Sequence, residues 1–194
     1  MLDANDAQNL SDAELVRLSL EKPDDFLYLV DRYKGKLMNY VRRLTNVNDD
    51  DVEDILQEVF IKVYLNLNDF NVDLKFSSWI YRITHNQVIS GHRKLKARPE
   101  GYVVGMEDKA ALNLAADIDI AAGADLNILK SNIVKILDGL DRKYRDILVL
   151  KFLEEKNYQE ISDIIRKPAG TVASMINKAK SEFKKELAKQ KIIL

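Results

Sequence analysis

"NYQEISDIIRKPAGTVASMINKAKSEFKKEL", residues 157–187, holds two apolar rhythms separated by a break. After the break, Val172, Ile176, Ala179, Phe183 and Leu187 fall within one narrow arc at about 100° per residue, the signature of a helix with one buried face. Pro168 suits the first turn of that helix, where a missing amide costs nothing. The opposite arc carries Ser174, Asn177, Lys178, Ser181, Lys184 and Lys185, so the outer face is polar and basic. Before the break, "YQEISDII" reads as a shorter helix and "RKPAG" as a tight turn of small and basic residues. Two helices so joined form a helix-turn-helix whose second helix fits a DNA major groove. An ordinary helical hairpin with a solvated lysine face has the same spacing, so both readings stand at this point.

The three-and-four rhythm recurs upstream. Phe26, Leu29, Val30, Tyr33, Leu37, Tyr40, Val41 and Leu44 mark one helical face; Val52, Ile55, Leu56, Val59, Phe60, Val63 and Leu67 mark another after the break "TNVND". "LSDAELVRLSLE" begins with Ser11 followed three residues later by Glu14, a capping box, and Pro23 closes that helix or starts the next. Around residues 97–127 the pattern gives way to Gly, Pro and an Ala/Asp run of weak periodicity, which reads as a flexible linker holding one transient helix. Periodicity returns with Ile128, Ile133, Ile136, Leu137 and Leu140, then with "DRKYRDILVLKFLEE", where Asp141 is the expected N-cap. The expected fold is therefore all-α, two small helical domains over 1–96 and 128–194 joined by that linker.

Composition agrees and narrows the function classes. The 194-residue chain has few Gly and Pro, 31% charged residues and no cysteine, which favours helix and excludes disulfides, thiolate metal sites and a cysteine nucleophile. No apolar run approaches a membrane span, and the acidic "MLDANDAQNLSD" start lacks the pattern of a secretory signal, so a cytoplasmic protein is expected. No phosphate loop, H-E-x-x-H or Gly-rich nucleotide turn occurs, and no enzyme activity, cofactor or small-molecule substrate is expected. His85 and His92, seven apart, have no carboxylate or thiol close by to complete a metal site.

A net charge of −1 conceals strong segregation. Residues 46–73 carry Asp49, Asp50, Asp51, Glu53, Asp54, Glu58, Asp69 and Asp73 against Lys62 alone, whereas 75–100 and 156–191 are strongly basic. In "DDDVEDILQEVF" the apolar arc leaves Asp54, Gln57, Glu58 and Ile61 facing outward. Acids early in a helix also serve its N-terminus, so a structural role competes with docking on a basic partner. "FSSWIYRITHNQVISGHRK", residues 76–94, splits by helical phase. Trp79, Ile80 and Ile83 anchor it; Arg82, His85, Asn86, Ile89 and Arg93 face the other way, and the apolar arc fades into Gln87, Ser90 and Lys94. The second half should project from the bundle, where basic and aromatic groups hold nucleic acid by neutralising phosphates and stacking bases. On the residues alone, a helix-turn-helix regulator and a helical adaptor with solvated basic faces both remain in play.

Three stretches, in this order, resemble one family, the extracytoplasmic-function sigma factors of the sigma-70 superfamily. "VEDILQEVFIKVY" is similar to the family's region 2.2. "FSSWIYRITHNQVISGHRK" is similar to regions 2.3 and 2.4, with Trp79, Arg82, Ile83, Asn86 and Arg93 in matching places. "YQEISDIIRKPAGTVASMINKAK" is similar to region 4.2, with Glu160, Ile161, Gly170, Thr171, Val172, Ser174 and Ala179 in theirs. The resemblance implies a factor that binds core RNA polymerase and directs promoter recognition, melting and initiation. It implies that Asp54, Gln57, Glu58 and Ile61 meet the clamp helices of the polymerase β′ subunit, and that the flap of the β subunit is also part of the polymerase surface contacted. It also implies that the loop "FNVDLKF" holds a flipped minus-ten base through Asn71, Asp73, Lys75 and Phe76, beside Arg82, His85, Asn86, Ile89 and Arg93. Arg166, Lys167, Thr171, Ser174, Asn177 and Lys178 are implied at the minus-thirty-five element, and an anti-sigma factor is implied as a further partner. Ser90, Gly91, Ala173 and Met175 depart from the family pattern, and no further C-terminal domain is expected.

Overall fold

The computed structural model describes residues 4–45, 47–71, 73–91, 108–118 and 126–189, with the backbone alone described at 4–6, 108, 109 and 126. Contacts gather into two units, Met1–Pro99 and Glu100–Leu194, and no strand occurs among the described residues.

The first unit contains α1 (Ala4–Asn9), α2 (Asp12–Glu21), α3 (Phe26–Leu44), α4 (Asp49–Leu65) and α5 (Phe76–Gly91), with single 3-10 turns at Pro23–Asp25 and Leu67–Asp69. Helix starts follow local chemistry. Ser11 Oγ accepts from Glu14 N–H at 3.3 Å while the Glu14 carboxylate accepts from Ser11 N–H at 2.7 Å, the reciprocal box read from the sequence. The Ser11 hydroxyl also donates to the Glu14 carboxylate at 2.7 Å, and this bond, followed by the one from Ser11 N–H, holds the Glu14 carboxyl below its ordinary value. Pro23 opens the 3-10 turn that leads into α3. Asn48 Oδ1 caps α4 by accepting from Asp51 N–H at 2.8 Å.

Leu29, Tyr33, Leu37, Tyr40, Val41 and Leu44 of α3 pack against Val52, Ile55, Leu56, Val59 and Val63 of α4 in the buried core, as their periodicity requires. Phe26, Val30 and Phe60, at the margins of those arcs, are only half buried. Phe70, Phe76 and Trp79 form an aromatic cluster with centroids 5.3 to 5.6 Å apart, and Tyr33 joins it edge-on at 5.4 Å from Phe76. Arg32 bridges α1, α2 and α3: its guanidinium donates to the Asp12 carboxylate and to the carbonyls of Ala7 and Leu10, each at 2.8 Å. Tyr33 Oη donates to the other Asp12 oxygen, and burial together with that bond pushes the phenol well above its usual range.

The second unit contains α6 (Asp108–Asp117), α7 (Leu126–Gly139), α8 (Arg142–Leu148), a π-helical turn (Val149–Leu153), α9 (Tyr158–Ile165) and α10 (Ala169–Lys189). Three expectations need correction here. The segment 97–127 was expected to be a linker with a transient helix. Its described part is a packed helix, because Ala110, Ala111, Leu114, Ala115 and Ile118 are buried and Asp117 pairs with Lys180 of α10 at 2.7 Å. Small alanines gave a weak periodic signal yet allow close approach. Asp141 precedes α8 but its side chain caps no amide; Lys143 Nζ lies 3.3 Å from it instead. Ile128 is exposed, and Leu129 takes the buried place. The mainly apolar stretch "YRDILVLKFL" does not form one regular helix: after Leu148 it widens into the π turn, closed by Glu154 N–H to Val149 O at 2.9 Å.

Candidate nucleic-acid and partner-binding surfaces

The α4 cap and the first-turn acids Asp49, Asp50 and Asp51 fix the helix start, with the acids at the positive end of its dipole. With the apolar side turned into the core, Asp54, Gln57, Glu58 and Ile61 share one exposed face, and Ile61 is 57% exposed. Beside it runs a groove of about 360 Å³ between α3 and α4, lined by Val30, Lys34, Glu53, Leu56, Gln57, Phe60 and Ile61. No single residue pattern announces it, since one wall belongs to each helix. Its signal was the weak burial of Val30 and Phe60 at the edges of two apolar arcs. A mainly apolar cleft, lined also by Glu53 and Lys34 and lying beside the acidic face of Asp54 and Glu58, suits a partner helix carrying apolar and basic side chains.

The turn before α5 is shaped by Asn71, whose Oδ1 accepts from Asp73 N–H at 2.9 Å, so this side chain is already engaged within the loop. Asp73, Leu74 and Lys75 are exposed. Phe76 is a correction: it is 2% exposed inside the aromatic cluster and offers no free face for a base. Lys75 and Leu74 are the exposed side chains next to it.

On α5, Trp79 and Ile80 anchor the helix as expected, while Ile83 and Arg82 are half buried. Asn86 and Ile89 are exposed. His85, placed on the DNA-facing arc from its phase, is another correction. It is 6% exposed, with Nδ1 3.0 Å from Tyr40 Oη and its ring stacked near Tyr40. The expectation that the second half of α5 leaves the bundle also gives way, because Thr84, His85, Gln87 and Val88 are all buried. Thr84 Oγ1 donates to Ile80 O at 2.9 Å, and Gln87 bonds both Glu58 and Lys62 on α4. Polar residues on this face are core residues with partners, and sequence phase alone took them for surface. Gly91 still belongs to α5, whereas His92, Arg93 and Lys94 lie outside the described residues.

In the second unit, α9 starts on a capping box: Asn157 Oδ1 accepts from Glu160 N–H at 2.9 Å and Glu160 accepts from Asn157 N–H at 2.9 Å. Glu160 is thus occupied in holding the helix start. Arg166 ends α9 in the left-handed conformation at φ 53°, and Ser162 Oγ donates to Lys167 O at 2.6 Å, which sets the turn. Val172, Ile176, Ala179 and Phe183 seat α10 on α8 and α9. The structure brings Arg166, Lys167, Thr171, Ser174, Asn177 and Lys178 to one exposed surface; Ala173 and Met175 beside them are half buried. A basic helix presented after a tight turn has the form that enters a major groove, with lysines placed for phosphates.

Among the described residues no group of His, Cys, Asp and Glu could hold a metal ion, and no helix is long and apolar enough to cross a membrane. The family model for sigma-70 region 2 matches residues 29–98, and that for sigma-70 region 4 matches residues 130–183. The chain is 36% identical over 171 residues to the ECF RNA polymerase sigma factor SigW of Bacillus subtilis, covering 84% of this chain and 89% of that protein. It is 32% identical over 184 residues to the ECF RNA polymerase sigma-E factor of Escherichia coli K12, covering 90% and 93%. Its fold is similar to that of CnrH in complex with the cytosolic domain of CnrY, with a TM-score of 0.65 and 22% identity over 96% of this chain and 98% of that one. It is also similar to RpoE of Bartonella quintana in complex with the anti-sigma factor NepR, with a TM-score of 0.59 and 17% identity over 84% and 97%.

Proposed function

The chain belongs to the ECF RNA polymerase sigma factors, and from that premise we propose how its surfaces divide the work of initiation. As a sigma factor it binds core RNA polymerase and directs it to promoters, where transcription starts. The α4 face of Asp54, Gln57, Glu58 and Ile61, with the groove beside it, docks on the clamp helices of the β′ subunit; exposed Ile61 seats against apolar side chains while the acids meet basic ones. The exposed loop residues Asp73 and Lys75, together with Asn86 and Ile89, form the described part of the minus-ten surface, where an extruded base must recover the few kcal/mol of stacking it loses. The second unit lays α10 in the major groove at the minus-thirty-five element, with Arg166, Lys167 and Lys178 on phosphates and Thr171, Ser174 and Asn177 toward base edges. This unit also meets the β flap, and the protein works in the cytoplasm beside the polymerase. An anti-sigma factor restrains it; the RpoE–NepR complex, of similar fold, supports this part of the reading.

The observation that carries the division is the pairing, in one chain, of an exposed acidic α4 face with an exposed basic α10 face. A regulator acting without polymerase has no use for the first. The variant carrying Asp54→Ala, Gln57→Ala and Glu58→Ala together should keep its fold and lose core polymerase binding in a pull-down or anisotropy titration. Run-off transcription with purified core enzyme should then fail for the variant and proceed for the parent chain. Unchanged core affinity in the triple variant would refute the α4 assignment.

A further inference from the structure

Gln87 lies on α5 with 9% of its surface exposed, on the side facing α4. Its Nε2 donates to Glu58 Oε2 and its Oε1 accepts from Lys62 Nζ. Glu58 and Lys62 are four residues apart on α4, a spacing at which such residues ordinarily pair directly across one helical turn. Here an amide from a neighbouring helix bonds both, and the two charges fix its orientation: the carboxylate takes the donor end and the ammonium the acceptor end. Hydrogen bonds to ionised groups are the stronger kind, and a nearly buried amide that lost them would carry an uncompensated desolvation cost. Gln87 is flanked by Asn86, which is exposed on the α5 surface proposed for the minus-ten strand, while Glu58 stands on the face proposed for polymerase.

We propose that Gln87 is a positioning residue: it holds the Glu58 carboxylate in the orientation that core polymerase engages, and so ties the polymerase-facing side of α4 to the DNA-facing turn of α5. The inference rests on the assignment of the α4 face to polymerase. It needs no contact between Gln87 and either partner, since the amide acts through Glu58. Lys62 has the complementary part of keeping the amide from flipping.

The test uses the full chain and purified core polymerase. Gln87→Met keeps the unbranched shape of the side chain and removes donor and acceptor; Gln87→Leu serves as a second apolar variant should Met fold poorly. Core affinity should fall by about tenfold in Gln87→Met, in line with the loss of charge-assisted bonds. In a Glu58→Gln background the same change should have little further effect. The swapped pair, Glu58→Gln with Gln87→Glu, restores an amide-to-carboxylate bond between the helices, so the melting temperature should recover while core affinity stays low. Recovery of affinity along with stability would reduce Gln87 to a packing role and overturn the proposal. So would full affinity in Gln87→Met when Glu58→Gln is weakened, or additive losses in the two backgrounds. If Glu58→Gln itself binds core polymerase as the parent does, the α4 assignment fails and the positioning role falls with it. In the free chain, the Gln87 side-chain amide signals in nitrogen-edited NMR should move on Glu58→Gln; signals that stay put would refute the bridge independently of polymerase.

Discussion

The two helices proposed to meet DNA are embedded in opposite ways. α10 is fully buried along one stripe, Val172, Ile176, Ala179 and Phe183, with Lys180 paired to Asp117 beside it, and its opposite side is exposed. α5 is enclosed along most of its length, with Phe76, Ser78, Trp79, Ile80, Tyr81, Thr84, His85, Gln87 and Val88 buried. The α10 side chains proposed for recognition therefore bear little on stability. On α5 the same turn holds core residues and the residues proposed for recognition side by side, so exposed Asn86 and Ile89 are positioned by buried His85, Gln87 and Val88. A rigid mount of this kind suits melting, where binding energy must be set against unstacking, whereas duplex docking tolerates a helix fixed on one face.

The sharpest break of this contrast is Trp79→Ala. Its ring lies 5.3 Å from Phe70 and 5.6 Å from Phe76, so truncation should cost about 3 to 5 kcal/mol, read as a lower midpoint in denaturant, and should disorder the minus-ten surface with it. On α10 the counterpart is Lys178→Ala. Stability should stay within about 0.5 kcal/mol, while DNA binding weakens and its salt slope falls by about one. Comparable destabilisation by both changes would remove the distinction between the helices.

The mount of α10 has a weakness that α5 lacks. Asp146 of α8, the helix on which α10 packs, is buried, and Arg142 Nε stands 3.5 Å from its carboxylate. Burial pushes this carboxyl up to about 6, against the downward pull of Arg142 and then Arg145. The folded chain thus holds the proton more tightly than the unfolded chain does, and stability falls as pH rises from about 4 through 6. Asp146→Asn should gain on the order of 2 to 3 kcal/mol above pH 6.5 and little at pH 4, measured by thermal melts of the full chain across pH. A gain that does not change with pH would show that charge burial is not the cause.

The same contrast explains what could be read from the sequence. α3, α4 and α10 each bury one face, so Leu29, Tyr33 and Leu37, or Val172, Ile176 and Ala179, announce themselves by spacing. The exposed faces followed by subtraction, which is why Asp54, Gln57, Glu58 and Ile61, and likewise Thr171, Ser174, Asn177 and Lys178, are all exposed in the fold. α5 defeats that logic because its second half is buried by polar residues whose partners lie on other helices: Tyr40 for His85, Glu58 and Lys62 for Gln87. Periodicity records apolarity and does not record long-range hydrogen bonds. α6 fails for a related reason, since alanines at a close helix approach carry too little hydropathy to register. The π turn is a matter of one hydrogen-bond register inside an apolar run, which no residue type signals.

Tyr40→Phe probes the buried polar side of α5 directly. It removes the hydroxyl 3.0 Å from His85 Nδ1 and leaves the stacked ring in place, so a loss of about 1 to 2 kcal/mol is expected without change in the exposed surface. At temperatures where the variant is folded, promoter binding should match the parent. Impaired open-complex formation in the folded variant would mean that His85 reaches DNA after all, and would restore its expected place on the recognition arc.

A smaller effect, of opposite sign on two readouts, belongs to Arg166. Its φ of 53° is a conformation in which glycine is at ease and a residue with a Cβ is strained by about 1 kcal/mol, and helices that end this way usually do so on glycine. The turn needs the geometry, because Arg166 N–H and Lys167 N–H both reach Ser162 O and so close α9. Nothing in the fold requires an arginine side chain here, since it is exposed at the entry to α10. Keeping one against the backbone preference is intelligible if the guanidinium is used on DNA phosphate. Arg166→Gly should therefore raise the melting temperature slightly while lowering affinity for duplex carrying the minus-thirty-five element and flattening its salt dependence. A variant that is more stable and binds DNA as well as the parent would leave the strain without a use, and would move the phosphate contacts to Lys167 and Lys178 alone.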